Sequence, residues 1–331
     1  MHATEEITPV SAVQVGLGGW GTDWALRVLP SAPGVRLVGW ADPDPDARAA
    51  FAAAAGVPRV HCGLADALAD VDAEAVFVTA DPAAHGELAR AALTAGKHVL
   101  LDRPFTPDLA EAADLVKLAE DVGKALLVAQ PQRYTAASSQ VRHLLAQEVV
   151  GRARHVAVAF RRNRRTPGSV LWRVSVDHFD LLRAFFGEAS AVTARAWPRG
   201  QSRDGGLASF SAEIEFASGV IAQYSASTTS PAPATRWTGD WAVEGDDGVL
   251  HWSGSEPGRG VRPLHPRGRR GHRGPGRRAA RARPLGRGGA VRPVGAGGRR
   301  VRDQRARQPG HHRAGGRRGD QHGHGERVAL A

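Results

Sequence analysis

The chain has 331 residues, 42% of them apolar and 23% charged, with a formal net charge of +11. That length accommodates two domains, each burying its own core. The single cysteine, Cys62, excludes a disulfide scaffold and a cysteine-based zinc cluster, and no run of eighteen apolar residues is available to span a bilayer.

The first residues, MHATEEITPV, are acidic and lack a basic stretch followed by an apolar one, so a cytoplasmic location is expected. An apolar run at 12–16 predicts a strand, and Trp20, Trp24, Ala25, Val28 and Leu29 follow at helical spacing. Strands are then predicted at 35–41, 75–79, 98–101 and 125–129, and helices at 46–55, 83–95 and 107–122. Such alternation implies a doubly wound parallel sheet of Rossmann type over residues 1–129, covered by helices on both faces.

The second half changes character. A helix at 136–147 precedes longer strands at 153–161, 191–198, 208–216, 220–228 and 237–244, interrupted by a helix at 177–186. Phe210, Ala212, Ile214 and Phe216 alternate with polar residues, which suits a sheet with one buried face. Gly219 and Gly248 mark hairpin turns. Residues 130–255 are therefore expected to form an α/β domain with a large, mostly antiparallel open sheet.

Beyond residue 255 the composition shifts to Gly, Arg, Pro and Ala. Residues 256–331 hold 21 arginines against four acidic residues, a net +17 that leaves −6 for the rest of the chain. Apolar residues there are too sparse to bury a core, so a disordered tail is expected. It contains no aromatic residue to stack on bases, so a nucleic-acid partner is not expected. Its composition is also what out-of-frame translation of a GC-rich gene yields.

The chemistry concentrates in the first half. Gly16-Leu17-Gly18-Gly19-Trp20-Gly21 is a G-x-G-x-x-G that follows a strand and opens a helix, with Asp42 ending the next strand. A dinucleotide needs this arrangement. Gly16 makes the tight turn, Gly18 admits the pyrophosphate to the backbone, Gly21 lets helix pack on strand, and Asp42 meets the ribose hydroxyls. An acid at position 42 favours NAD over NADP, although Arg48 lies close in sequence. Thr79, His85, Asp102 and Arg103 are the polar residues at strand ends on the same sheet edge, where ligands bind. Read without chemistry, Asp81 caps a helix and Arg103 is a surface charge.

With these residues in place, the chain resembles the glucose–fructose oxidoreductase/inositol dehydrogenase (Gfo/Idh/MocA) family over residues 11–255. Pro82 with His85 fits its T-P-x-x-H-like segment. Gly96-Lys97-His98-Val99-Leu100 precedes the position of its E-K-P triplet. Gln130-Pro131-Gln132-Arg133-Tyr134 is similar to its Q-N-Y-R-Y-like strand end, and Thr238-Gly239-Asp240-Trp241 to a late strand of some members. The resemblance implies NAD(P)-dependent hydride transfer at a sugar, cyclitol or related hydroxyl. It also implies an oligomer interface on the second sheet.

The chain departs from the family's pattern in two places. Asp102-Arg103-Pro104 stands for Glu-Lys-Pro; an arginine binds and polarises but is a poor proton shuttle. Arg173-Val174-Ser175-Val176-Asp177-His178-Phe179-Asp180 is similar to D-x-G-x-H-x-x-D. Arg173 stands at the Asp position, Asp177 at the catalytic His position, and His178 one residue late. Arg103, Asp177 and His178 are accordingly the expected catalytic residues, with His178 or Asp177 taking the proton. Gly16, Leu17, Gly18, Gly19, Trp20, Gly21, Asp42, Thr79, Pro82, His85, Asp102, Arg103 and Gln130 are expected to contact the cofactor, NAD or alternatively NADP. No metal site is expected. Two other readings stay open: a dinucleotide-binding protein that has lost catalysis, and a nucleic-acid binder driven by the tail. Read without chemistry, Asp177 is a helix N-cap and His178 a packed or surface residue.

Overall fold

The computed structural model describes residues 8–163, 169–197, 206–253 and 261–264, and the backbone of 327–329. Five strands form a parallel sheet in the order β2-β1-β3-β4-β5, with β1 Val10–Val15, β2 Val35–Ala41, β3 Ala75–Val78, β4 His98–Leu101 and β5 Leu126–Val128. Helices cover both faces, so β1 is buried at Ser11–Val15 and β3 along its whole length. The order of strand addition reverses between β1 and β3, and ligands of such sheets bind beside that switch point.

Local chemistry sets the helix ends. Asp44 accepts a hydrogen bond from Asp46 N and Pro45 occupies the first turn of α2 (Pro45–Ala55), which ends at Gly56 with φ +66. Asp108 caps α5 (Leu109–Asp121) through Glu111 N, and Asp81 caps the short turn Pro82–Ala84 before α4 (His85–Thr94). The first helix is not uniform. It runs as α1 (Gly19–Asp23), a wide turn at Trp24–Val28 and a tight one at Leu29–Ser31. A short helix, α3 (Leu64–Asp70), was not expected from the sequence, because its Ala and Asp residues show too little apolar contrast.

The second sheet has eight strands in the order β12-β11-β10-β6-β9-β8-β7-β13. They are β6 Ala153–Arg161, β7 Ala189–Ala196, β8 Ser209–Phe216, β9 Ile221–Ser227, β10 Asp240–Gly245, β11 Val249–Trp252, β12 Val261–Leu264 and β13 Arg327–Ala329. All neighbours pair antiparallel except β6 and β9. One face carries the larger core, where α6 (Ala136–Ala146) and α7 (Val176–Phe186) pack on Val156, Val158, Phe160, Phe210, Ile214 and Trp241.

Three expectations need correction. The strand predicted at 237–244 starts at Asp240, because Gly239 (φ +77) turns the chain and leaves Trp237 in a loop. The helix predicted at 177–186 is preceded by a wide helical turn, Leu171–Ser175, which adds Trp172 and Arg173 to it. Two short pieces of the segment expected to lack structure are strands, since β12 pairs with β11 and β13 with β7. Val261 is buried in the larger core. The rest of 256–331 lies outside the described residues.

Candidate functional site

The glycine turn lies where β1 ends. Gly16 has φ +95, and a Cβ there would stand 2.4 Å from Ala80 N. Gly21 is as constrained, since its Cβ would fall 2.0 Å from Gly16 O. Gln14 and Thr79 brace the turn from beneath: Gln14 Nε2 donates to Gly21 O (2.7 Å) and Thr79 Oγ1, and Thr79 Oγ1 donates to Gly16 O (2.7 Å). Gly18 and Gly19 differ, because nothing lies within 4 Å of a Cβ at either. The loop is therefore packed on its inner side and open on its outer side, a cradle that side chains would fill.

Asp42 ends β2 beside this turn. Its Oδ2 accepts Leu17 N at 2.6 Å and its Oδ1 accepts Asp44 N at 2.8 Å, which orients the carboxylate. Arg48 Nη1 donates to Asp42 O and Pro43 O, both at 2.9 Å, so this guanidinium is fixed at the same corner.

A cleft of about 890 Å³ runs from Asp42 across the glycine turn to Arg103, Trp172, Arg173 and Trp237. Of the expected site residues, Gly16, Gly18, Gly19, Trp20, Gly21, Asp42, Thr79, Pro82, Asp102 and Arg103 line it. Leu17 is buried and contributes through its backbone. Burial raises the Asp102 carboxyl above its usual range, opposed by the adjacent Arg103 charge.

The remaining expected residues are not among those that line the cleft. His85 is 1% exposed, with Nδ1 2.8 Å from Pro104 O and Nε2 3.2 Å from Ala80 O. It ties the β3 and β4 strand ends together and does not reach the cleft. Gln130 does not line the cleft although Pro131 and Gln132 do, and its Oε1 is buried with no hydrogen-bond partner among the described residues. His178 is fully buried: Nδ1 lies 2.8 Å from Tyr224 Oη and Nε2 2.9 Å from Trp237 O. Desolvation lowers its pKa to about 4, so the ring is neutral, enclosed and unable to collect a proton from the cleft.

Asp177 is 1% exposed and also faces away from open solvent. Its Oδ1 lies 2.8 Å from Arg103 Nε and its Oδ2 accepts Trp237 Nε1 at 2.9 Å. Burial pushes its carboxyl up, against the pull of Arg103. Asp177 thus fixes Arg103 and Trp237 from behind the cleft wall. Asp180 holds Arg133 at 2.6 Å one turn further on.

Trp172 and Trp237 were not picked out as site residues by the sequence. Both are large, apolar and about 40% exposed on the cleft (42% and 38%). An indole left open in a concave site was the available signal, but exposure is decided by loop course. Among the described residues no group of His, Cys, Asp and Glu is arranged to hold a metal ion, and no helix is long and apolar enough to cross a membrane.

Comparison with known proteins agrees with this geometry. Residues 10–130 match the "oxidoreductase family, NAD-binding Rossmann fold" of the Gfo/Idh/MocA group, and residues 138–251 match the Gfo/Idh/MocA C-terminal domain. The chain is 26% identical to a 1,5-anhydro-D-fructose reductase of Ensifer adhaerens over 249 residues, covering 71% of this chain and 73% of the relative. Among solved structures it is similar to GenD2 of gentamicin A biosynthesis in complex with NAD (26% identity, TM-score 0.66, 74% of this chain and 72% of that one). An oxidoreductase from Agrobacterium radiobacter in complex with NAD+, L-tartaric acid and magnesium shares the fold (16% identity, TM-score 0.70, 78% and 80%). The chain belongs to the Gfo/Idh/MocA family of NAD-binding oxidoreductases.

Proposed function

We propose that the cleft binds NAD in preference to NADP and transfers a hydride to or from a sugar, cyclitol or related hydroxyl or keto compound. The observation that carries this is one continuous cleft with the open Gly18–Gly19 cradle and Asp42 at one end and Arg103 at the other. In this reading the cradle amides hold the pyrophosphate, and Asp42 accepts the ribose hydroxyls. Thr79, Pro82 and Asp102 line the path to Arg103. Bound there, the nicotinamide supplies the hydride acceptor or donor.

The remaining chemistry belongs to the chain. Arg103, held by Asp177, donates hydrogen bonds to the substrate oxygen and stabilises charge on it. Asp102 takes the hydroxyl proton: it lines the cleft, and burial brings its carboxyl closer to the working pH. Trp172 and Trp237 offer flat apolar surfaces to the C–H faces of a ring. The division of labour follows residues 1–129 for the nucleotide and 130–255 for the substrate. The outer face of the second sheet, a shallow depression of about 730 Å³ floored by Ala157, Ala159, Ser211 and Ser225, is where this reading seats a second copy.

The enclosure of His178 and Asp177 favours a second reading, in which the dinucleotide binds without turnover. Titration with NADH and NADPH, paired with a polyol panel followed at the nicotinamide absorbance, separates the two. Tight NADH binding with turnover supports the first. Binding without turnover on any polyol supports the second, and indifference to both coenzymes removes both.

A further inference from the structure

The substrate end of the cleft holds an arginine with no ion-pair partner among the described residues. Arg173 lies on the wide turn Leu171–Ser175, is exposed and lines the cleft together with Trp172 and Trp237. No carboxylate among the described residues pairs with it. The other arginine that lines the cleft, Arg103, is committed to Asp177 at 2.8 Å, and Arg133 and Arg161 pair with Asp180 at 2.6 Å and Asp240 at 2.9 Å. Of the three acids that line the cleft, Asp102 stands beside Arg103 at this end, and the other two lie elsewhere or are occupied. Asp42 receives two backbone amides at the ribose end, and Asp81 caps Ala83 N. An arginine without a carboxylate partner, lining the same cleft as two open indoles, matches a planar anion carried on an apolar-faced ring.

We propose that Arg173 selects a carboxylate-bearing substrate, a sugar acid, over its neutral counterpart. This rests on the nicotinamide-dependent reading above and names its substrate class. The guanidinium pairs with the carboxylate through two parallel hydrogen bonds, while Trp172 and Trp237 cover the C–H faces. The reacting hydroxyl then points toward Arg103 and Asp102.

The test uses the full chain and two matched pairs, D-glucuronate against D-glucose and D-galacturonate against D-galactose. Binding is followed by quenching of tryptophan fluorescence, with and without NADH, and turnover at the nicotinamide absorbance. The acid of each pair is expected to bind about tenfold or more tightly than its neutral partner. Arg173→Gln should remove most of that ratio, Arg173→Lys should keep part of it, and NADH affinity should stay within about twofold in both. Three results overturn the proposal: equal affinity for acid and neutral partner, a ratio unchanged in R173Q, or a loss of NADH affinity in R173Q as large as the loss for the acid. The last places Arg173 on the dinucleotide phosphates. Failure of the underlying reading looks different: NADH does not bind to the unmodified chain, whatever the sugar acids do.

Discussion

Arg103 Nε lies 2.8 Å from Asp177 Oδ1, so the end of β4 in the first sheet is ionically joined to the first turn of α7 beneath the second. The same carboxylate accepts Trp237 Nε1 at 2.9 Å. One buried acid thereby sets two residues of the cleft wall, one from each half of the chain.

Removing one partner of that pair should cost more than neutralising the other. Arg103→Met leaves Asp177 buried without a counter-charge, with an expected loss of about 3 kcal/mol or more. Asp177→Asn keeps the shape and an oxygen for Trp237, so a smaller loss is expected. Denaturant unfolding of both single variants and the double variant gives the coupling; additive losses would show that the contact carries no energy.

The neutral, enclosed His178 has a pH signature. Its folded pKa is about 4 against 6.5 when unfolded, so the unfolded chain binds the extra proton between those values. Its contribution is complete above pH 6.5 and is lost as pH falls to about 4, a change of roughly 3 kcal/mol. Urea midpoints across that range should show the slope, and His178→Gln should flatten it. Turnover should show no limb assignable to His178, because the ring does not open to the cleft.

Asp102 should supply the ionisation that turnover does show. Its carboxyl is raised by burial, so the basic form needed for hydroxyl oxidation is lost as pH falls through that raised value. The pH profile of kcat/KM in the oxidative direction should fall on the acid side, and Asp102→Asn should remove that limb with kcat reduced about 100-fold or more. An unchanged limb would place the base elsewhere.

The four glycines of the turn should divide into two classes. Gly21→Ala drives a Cβ to 2.0 Å from Gly16 O and should lower stability by about 1–3 kcal/mol. Gly18→Ala meets nothing within 4 Å, so the melting temperature should stay put while NADH affinity falls. Thermal melts and dinucleotide titration of the two variants read these outcomes directly. If G18A binds NADH normally, the pyrophosphate does not lie over the cradle.

Coenzyme choice should depend on the Asp42 corner. Asp42→Ala removes the acceptor for the ribose hydroxyls and for Leu17 N, and should weaken NADH binding about tenfold. It should also erase the preference over NADPH, since Arg48 remains fixed at Asp42 O and Pro43 O. Retained discrimination in D42A would move the determinant off this residue.

Much of the first sheet was legible because its signals are local. Short apolar strands separated by Ala-rich helices specify parallel layers, and the spacing of Gly16, Gly18 and Gly21 places a tight turn at a strand end wherever the rest of the chain goes. Asp42 was legible for the same reason, being the last residue after a seven-residue strand. The second sheet was readable in outline from alternation along β8, but Trp237 was misplaced, because a single glycine turn at Gly239 decides where a strand begins.

What only the tertiary structure decided is which side chains face the cleft. Asp177 and His178 are adjacent in sequence and about 100° apart around α7. That rotation sends one toward Arg103 and the other into the core against Tyr224. Trp237, 60 residues beyond Asp177, comes back to bond both of them, Nε1 to the acid and its carbonyl to the imidazole. Residue order determined the sheet and the glycine turn, because strand period and φ preference act over a few residues. The packing of a distant loop against one helix determined the chemistry of the cleft, because burial and charge pairing depend on neighbours that sequence spacing does not reveal.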